Sequence, residues 1–191
     1  MREITVGVIG CGIGQLHVEG FAADPRVKLA AIAGLDVDRC APIQTKHLIP
    51  QRYEDYRELL ADPAIDMVSV GVPNHLHREV TVAALEAGKH VLVEKPLAQN
   101  STEGAEMVKA AKRSGKQLGI IFNRRGRHDV QIVRSLVHRG ELGEIYHAKA
   151  YWCRRTGSPK MGTWFVNKRL AGGGCMLDIG VHFLDLALYI T

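Results

Sequence analysis

The chain has 191 residues, enough for one domain or for one domain and part of a second. It is 46% hydrophobic and 24% charged, a globular balance that argues against disorder. The net charge of +5 lies wholly in the C-terminal part: residues 123–191 carry 11 Lys or Arg against 5 Asp or Glu, and residues 1–122 carry 14 against 15.

In chain order, short apolar runs alternate with segments of helical period. Residues 4–10 (ITVGVIG) form a β-branched run ending in glycine, and residues 13–23 read as a helix stopped by Asp24-Pro25. Residues 27–36 read as a second strand, followed by a helix to about His47. Residues 52–62 suggest a short strand and a short helix, and 65–72 (IDMVSVGV) a strong strand. Asn74 is placed to cap a helix that ends near Gly88. Residues 90–94 (HVLVE) form the next strand. Asn100 and Glu103 resemble a capping box for a helix ending near Gly115, and 117–122 is another strand. Strand and helix alternating at this spacing imply an α/β fold with a parallel sheet covered on both faces. The strands are apolar throughout, as burial on both sides requires.

The pattern changes after residue 122, where a domain boundary is expected. Residues 128–139 look helical and 144–152 (EIYHAKAYW) alternate like an antiparallel strand. Residues 153–174 are basic and irregular, and a final helix carries Asp178 and His182. Neither a signal peptide nor an apolar run near the roughly 20 residues of a bilayer span is read, so a cytoplasmic setting without a membrane partner is expected. Cys11, Cys40, Cys153 and Cys175 show no CxxC or zinc spacing and read as free thiols. The nine histidines form no HExxH, and no metal is expected. The basic cluster at 123–128 (NRRGRH) lacks interleaved aromatics, so no nucleic-acid partner is expected.

The chemistry concentrates at the strand ends. The first strand turns through GCGIGQLH (10–17) into the first helix, a strand–glycine loop–helix context suited to a pyrophosphate. Gly10 and Gly12 fit G-x-G-x-x-G, but Gly14 comes one residue early and Gln15 holds the usual third-glycine place. Asp36, 24 positions after Gly12, suits the acid that binds an adenosine ribose and repels a 2′-phosphate. NAD is therefore favoured, while Arg39 leaves room for NADP. The VPNHLH turn (72–77) and VEKPLA (93–98) lie where ligands sit in open α/β sheets, beyond the C-terminal strand ends.

These stretches, with VPNHLHREVTVAALEAGKHVLVEKPLA and AGGGCMLDIGVHFLDLAL, resemble the glucose–fructose oxidoreductase, inositol dehydrogenase and rhizopine-catabolism (Gfo/Idh/MocA) family over about residues 4–191. The resemblance implies a Rossmann-type doubly wound parallel sheet over 1–122. It also implies that 123–191 begin an α+β substrate and oligomerisation domain of which only the start is present. It implies an NAD(P)-dependent oxidoreductase moving a hydride between a sugar, polyol or related hydroxy compound and the nicotinamide, and homo-oligomers when that second domain is complete. Lys95, Asp178 and His182 would be catalytic, with His182 the general acid/base. Gly10, Gly12, Ile13, Gly14, Asp36, Arg39, Pro73, Asn74, His77, Glu94, Lys95 and Asn123 would contact the cofactor. Lys95, Arg124, Asp178 and His182 would contact the substrate. The alternatives are a dinucleotide-binding regulator without turnover and an NAD-dependent glycoside hydrolase. On its own the chain is expected to bind NAD weakly, turn over little, and expose apolar surface on the 144–152 strand and the last helix.

Overall fold

The computed structural model describes residues 3–153, 155–156 and 161–191, in two compact units, Met1–Ile120 and Ile121–Thr191. The six-stranded sheet comprises β1 (Ile4–Ile9), β2 (Val27–Ala33), β3 (Gln51–Tyr53), β4 (Met67–Val70), β5 (His90–Glu94) and β6 (Leu118–Ile121). Its order is β3-β2-β1-β4-β5-β6. The β1–β2, β1–β4, β2–β3 and β4–β5 pairings are all parallel. The direction of winding therefore reverses between β1 and β4, which opens a crevice beyond their C-terminal ends.

Five helices cover the sheet: α1 (Gly14–Ala22), α2 (Val37–Lys46), α3 (Tyr56–Ala61), α4 (His77–Glu86) and α5 (Ser101–Ser114). Neighbouring strand residues feed opposite cores. Val8 and Ile32 pack with Val18 of α1 and Ile43 of α2. Ile9, Ala31 and Ala33 pack with Leu59, Leu85 and Met107 from α3, α4 and α5. This two-sided burial is why the strands read as continuous apolar runs.

The helix starts differ in a way that bears on function. Asp36, Asp55 and Asn100 cap α2, α3 and α5 through their side chains, whereas no side chain caps α1. At α5 the expected cap forms, with Asn100 Oδ1 accepting from the Glu103 amide at 3.0 Å, while Glu103 Oε2 accepts at 3.2 Å from the amide of Gln99, one residue ahead of the cap. Asn74 does not cap α4. It opens a 3₁₀ turn, Asn74–Leu76, and α4 starts only at His77 without a side-chain cap.

Cys11 and Cys40 are joined as a disulfide, with Cα atoms 5.3 Å apart, which corrects the reading of four free thiols. Their 29-residue separation gave no signal, but the fold brings the loop after β1 beside α2. Gly34 makes the space, since a Cβ there would come within 2.7 and 2.8 Å of the two sulfurs. Cys153 and Cys175 are free and exposed.

The second unit contains α6 (His128–His138), a 3₁₀ turn (Trp164–Val166), the short α7 (Lys168–Ala171), a π turn (Met176–Gly180) and α8 (Val181–Ile190). Residues 144–152 are not a strand, contrary to expectation. Alternation offers a face to bury, but a strand also needs a hydrogen-bonded neighbour. No strand in this unit supplies one among the described residues. The reading of 153–174 as irregular also changes, because Trp164–Val166 and Lys168–Ala171 are helical. Lys168–Ile190 is, by length and composition, apolar enough to cross a membrane, which amends the earlier estimate of apolar run length. It is interrupted by the left-handed Gly172 and the π turn, and it contains Asp178 and Asp185.

Candidate functional site

The glycine loop sits at the reversal point of the sheet. Gly10 has φ +103°, and its amide donates to the Ala33 carbonyl at 2.8 Å. A Cβ at Gly10 would meet the Gly71 carbonyl oxygen at 2.4 Å, so the ends of β1 and β4 are in backbone contact there. Gly12 is exposed and a Cβ there would meet nothing within 4 Å, which leaves the loop crest open to a ligand. Gly14 takes over close helix–sheet packing: a Cβ there would lie 3.1 Å from Val8, and one on Gly71 would lie 3.1 Å from the Gly14 amide. The early third glycine is thus a packing residue at the start of α1, which explains why Gln15 can occupy the usual place. Ile13 is the N-cap residue of α1 and is 43% exposed at the same crest.

An uncapped helix start beside an open glycine crest fits a pyrophosphate, which accepts hydrogen bonds from amides and is favoured by the positive helix end. Asp36 lies past the end of β2, where its carboxylate caps α2 through the Arg39 amide at 3.2 Å and pairs with Arg39 Nε at 3.0 Å. The Asp36 side chain stays 53% exposed, open to a ribose diol.

The β4–α4 and β5–α5 turns complete this edge. Pro73 precedes the 3₁₀ turn begun by the buried Asn74. His77, expected at the cofactor, is only 1% exposed, and its ring nitrogens face the Pro96 carbonyl at 2.7 Å and the Val72 carbonyl at 2.9 Å. A neutral ring donates to one of these carbonyls and packs its other nitrogen beside the second, so neither nitrogen is open to a ligand. Burial pushes its pKa below the ordinary 6.5 against the opposing pull of those carbonyls. Glu94, also expected at the cofactor, is turned inward. Its side chain is 12% exposed, Oε1 meets His17 Nε2 at 3.1 Å, and Oε2 accepts from the Lys95 amide at 3.0 Å. Lys95 follows at the strand end, before a cis bond to Pro96.

In the second unit, Asn123 is exposed and opens a 3₁₀ turn, Asn123–Gly126. The Arg124 guanidinium lies 4.4 Å from the Trp152 ring centroid and 5.3 Å from that of Phe183. Arg124 Nε has no hydrogen-bond partner among the described residues. His182 is 9% exposed in the first turn of α8, with its ring edge-on to Phe122 at 6.2 Å. Arg124 thus lies against the Trp152–Phe183 pair, and His182 against Phe122. Asp178 lies in the π turn and His182 in α8, so one continuous α-helix does not carry both, contrary to expectation. π turns of this kind often mark functional sites. The sequence reading missed Asp185, which is 7% exposed and binds Arg125 through both carboxylate oxygens. That pair fixes the Asn123-Arg124 turn to α8. Its signal was a lone Asp within an apolar helix, where a buried charge needs a partner. Among the described residues, no group of three or more His, Cys, Asp or Glu side chains could hold a metal ion.

The parallel sheet, its reversal point and the open glycine crest define a dinucleotide-binding unit of the Rossmann type. The profile of the oxidoreductase family with an NAD-binding Rossmann fold matches residues 4–122, and that of the Gfo/Idh/MocA C-terminal domain matches residues 130–191. The chain belongs to the Gfo/Idh/MocA family of NAD-binding oxidoreductases. It is 36% identical over 189 residues to D-glucoside 3-dehydrogenase of Escherichia coli K12, covering 98% of this chain and 54% of that protein. It is 32% identical to myo-inositol 2-dehydrogenase of Thermotoga maritima, covering 98% and 54%. Levoglucosan dehydrogenase in complex with NADH and levoglucosan superposes with a TM-score of 0.87 at 29% identity, covering all of this chain and 54% of that one. The chain therefore spans about half the length of the curated relatives it matches.

Proposed function

We propose that the protein is an NAD-dependent dehydrogenase that oxidises a secondary hydroxyl of a sugar or polyol. The observation that carries this reading is the open Gly10–Gly14 crest at the β1/β4 reversal, on the same sheet edge as Lys95. The relatives named for glucosides, inositol and levoglucosan supply the substrate class. Gly10, Gly12, Ile13 and Gly14 would hold the pyrophosphate, Asp36 and Arg39 the adenosine ribose, and Pro73, Asn74, Lys95 and Asn123 the nicotinamide half. Held by these residues, NAD would supply the acceptor for the hydride of the carbinol carbon. His182 takes the hydroxyl proton, a task suited to an imidazole. The Lys95 ammonium stabilises the alkoxide that forms. Asp178 and Arg124 orient the substrate, and the unpartnered Arg124 Nε is a donor for a substrate oxygen. Residues 123–191 would begin the substrate and oligomerisation domain, and a cytoplasmic, homo-oligomeric enzyme is the setting such chemistry suits.

The test is NADH formation at 340 nm with NAD and a panel of glucosides, anhydrosugars and inositols. Turnover in the wild type that falls by at least about a thousandfold in Lys95→Met supports the reading. NAD binding with no reduction across the panel overturns it in favour of a regulator, and sugar release without net NADH points to glycoside hydrolysis.

A further inference from the structure

A buried chain of side chains under Lys95 has no part in the chemistry above. Ser69, in the middle of β4, is wholly buried, and its hydroxyl lies 2.9 Å from His17 Nδ1. His17 Nε2 lies 3.1 Å from Glu94 Oε1, with the two side chains 7% and 12% exposed. The other Glu94 oxygen accepts from the Lys95 amide at 3.0 Å. A carboxylate only accepts, so the His17 proton must sit on Nε2. At Nδ1 the ring shares a hydrogen bond with the Ser69 hydroxyl, which can donate or accept. The contacts are continuous from Ser69 through His17 to Glu94, and Glu94 accepts from the backbone amide of Lys95.

We infer that His17 is a positioning residue for Lys95: anchored by Ser69, it fixes the Glu94 carboxylate, which in turn fixes the backbone that carries the lysine. Each link follows from what the neighbouring group requires. A carboxylate buried this deeply needs donors on both oxygens. One comes from the lysine's own amide and the other from a side chain anchored elsewhere. That anchor is α1, the helix that rises from the glycine crest, with His17 in its first turn. Cofactor cradle and lysine are therefore referenced to the same helix. The turn is braced from its other side by His77 on the Pro96 carbonyl. A packing role alone would ask only for a ring of this size. The directed hydrogen bonds ask for a donor at this reach, and the two demands separate under substitution.

The inference rests on the reading of Lys95 as the group that meets the substrate, and its test has one arm that needs no catalysis. The first arm follows amide exchange at Lys95 by NMR in wild type, His17→Leu and His17→Gln. The leucine fills the space without a donor, and the glutamine keeps a donor at similar reach. Lys95 exchange is expected to rise about tenfold or more in His17→Leu and to return toward wild type in His17→Gln, with β1 and β4 amides unchanged. The second arm measures kinetics on a substrate identified by the panel. There, kcat is expected to fall about 10- to 100-fold in His17→Leu with the Kd for NAD within about twofold, and His17→Gln to recover most of it. Unchanged Lys95 exchange and unchanged kcat in His17→Leu overturn the inference. So does equal loss in both variants, which is the mark of packing. If His17→Leu does not fold, Ser69→Ala carries the exchange arm, with faster Lys95 exchange expected and no change overturning the inference. If the wild type turns over nothing, the dehydrogenase reading fails while the exchange arm still decides this one.

Discussion

At the scale of single residues, two side-chain environments carry most of what can be checked. Gly10 combines φ +103° with a backbone oxygen 2.4 Å from where a Cβ would stand. Neither the conformation nor the carbonyl can yield cheaply, so Gly10→Ala is expected to lower stability by about 3 kcal/mol or more and to abolish NAD binding. Urea unfolding and NADH fluorescence would show both losses. His77 is held below its ordinary pKa by burial. The unfolded chain therefore binds a proton at this ring that the folded chain refuses, in the window between the depressed value and 6.5. Stability from this group is complete above pH 6.5 and is lost as the pH falls through that window. His77→Gln should flatten the dependence below pH 6.5 by up to one proton, about 1.4 kcal/mol per pH unit, read from urea midpoints across pH 5 to 7.5. The family resemblance implied a place at the cofactor for His77. Nothing in the sequence shows that two carbonyls from separate loops converge on its ring.

At the scale of elements, local chemistry was legible where one segment decides the outcome. The Asn100–Glu103 pair was visible as a spacing, and the Asn100 cap on the Glu103 amide is in place. Asn100→Ala should cost about 1 kcal/mol, seen as a shifted thermal midpoint with the NAD affinity retained. The strands of the sheet were legible because burial on both faces leaves continuous apolar runs. Residues 144–152 failed for the complementary reason, since a strand is defined by its neighbour and alternation says nothing about whether one is present. The π turn at Met176–Gly180 was hidden because one extra residue per turn changes no composition. Of the candidate site, the glycine crest and Asp36 could be read from spacing, and the role of Lys95 came only with the family resemblance. The inward roles of Glu94 and His17 could not, because they depend on contacts 77 residues apart in the chain.

At the scale of the molecule, the two units differ in how completely they bury their apolar residues. In the first, strands and helices close on two cores. In the second, Leu188 of α8 is 74% exposed and Leu184 51%, with Tyr146 at 94% before them. Such surface favours association. The chain should bind a hydrophobic dye and sediment as more than a monomer, and Leu184→Glu with Leu188→Glu should reduce both signals. The bare start of α1 has a consequence of its own. Three of the helices around the sheet carry their own side-chain stop at the amino end, and the one beneath the glycine crest leaves that office vacant. On the proposed reading, a dinucleotide diphosphate would be the missing capping group, supplied from solution. Binding that favours only the folded chain adds RT ln(1 + [L]/Kd), about 2.7 kcal/mol at a hundred times Kd. The thermal midpoint should climb with NAD concentration, read by a thermal melt across a cofactor series.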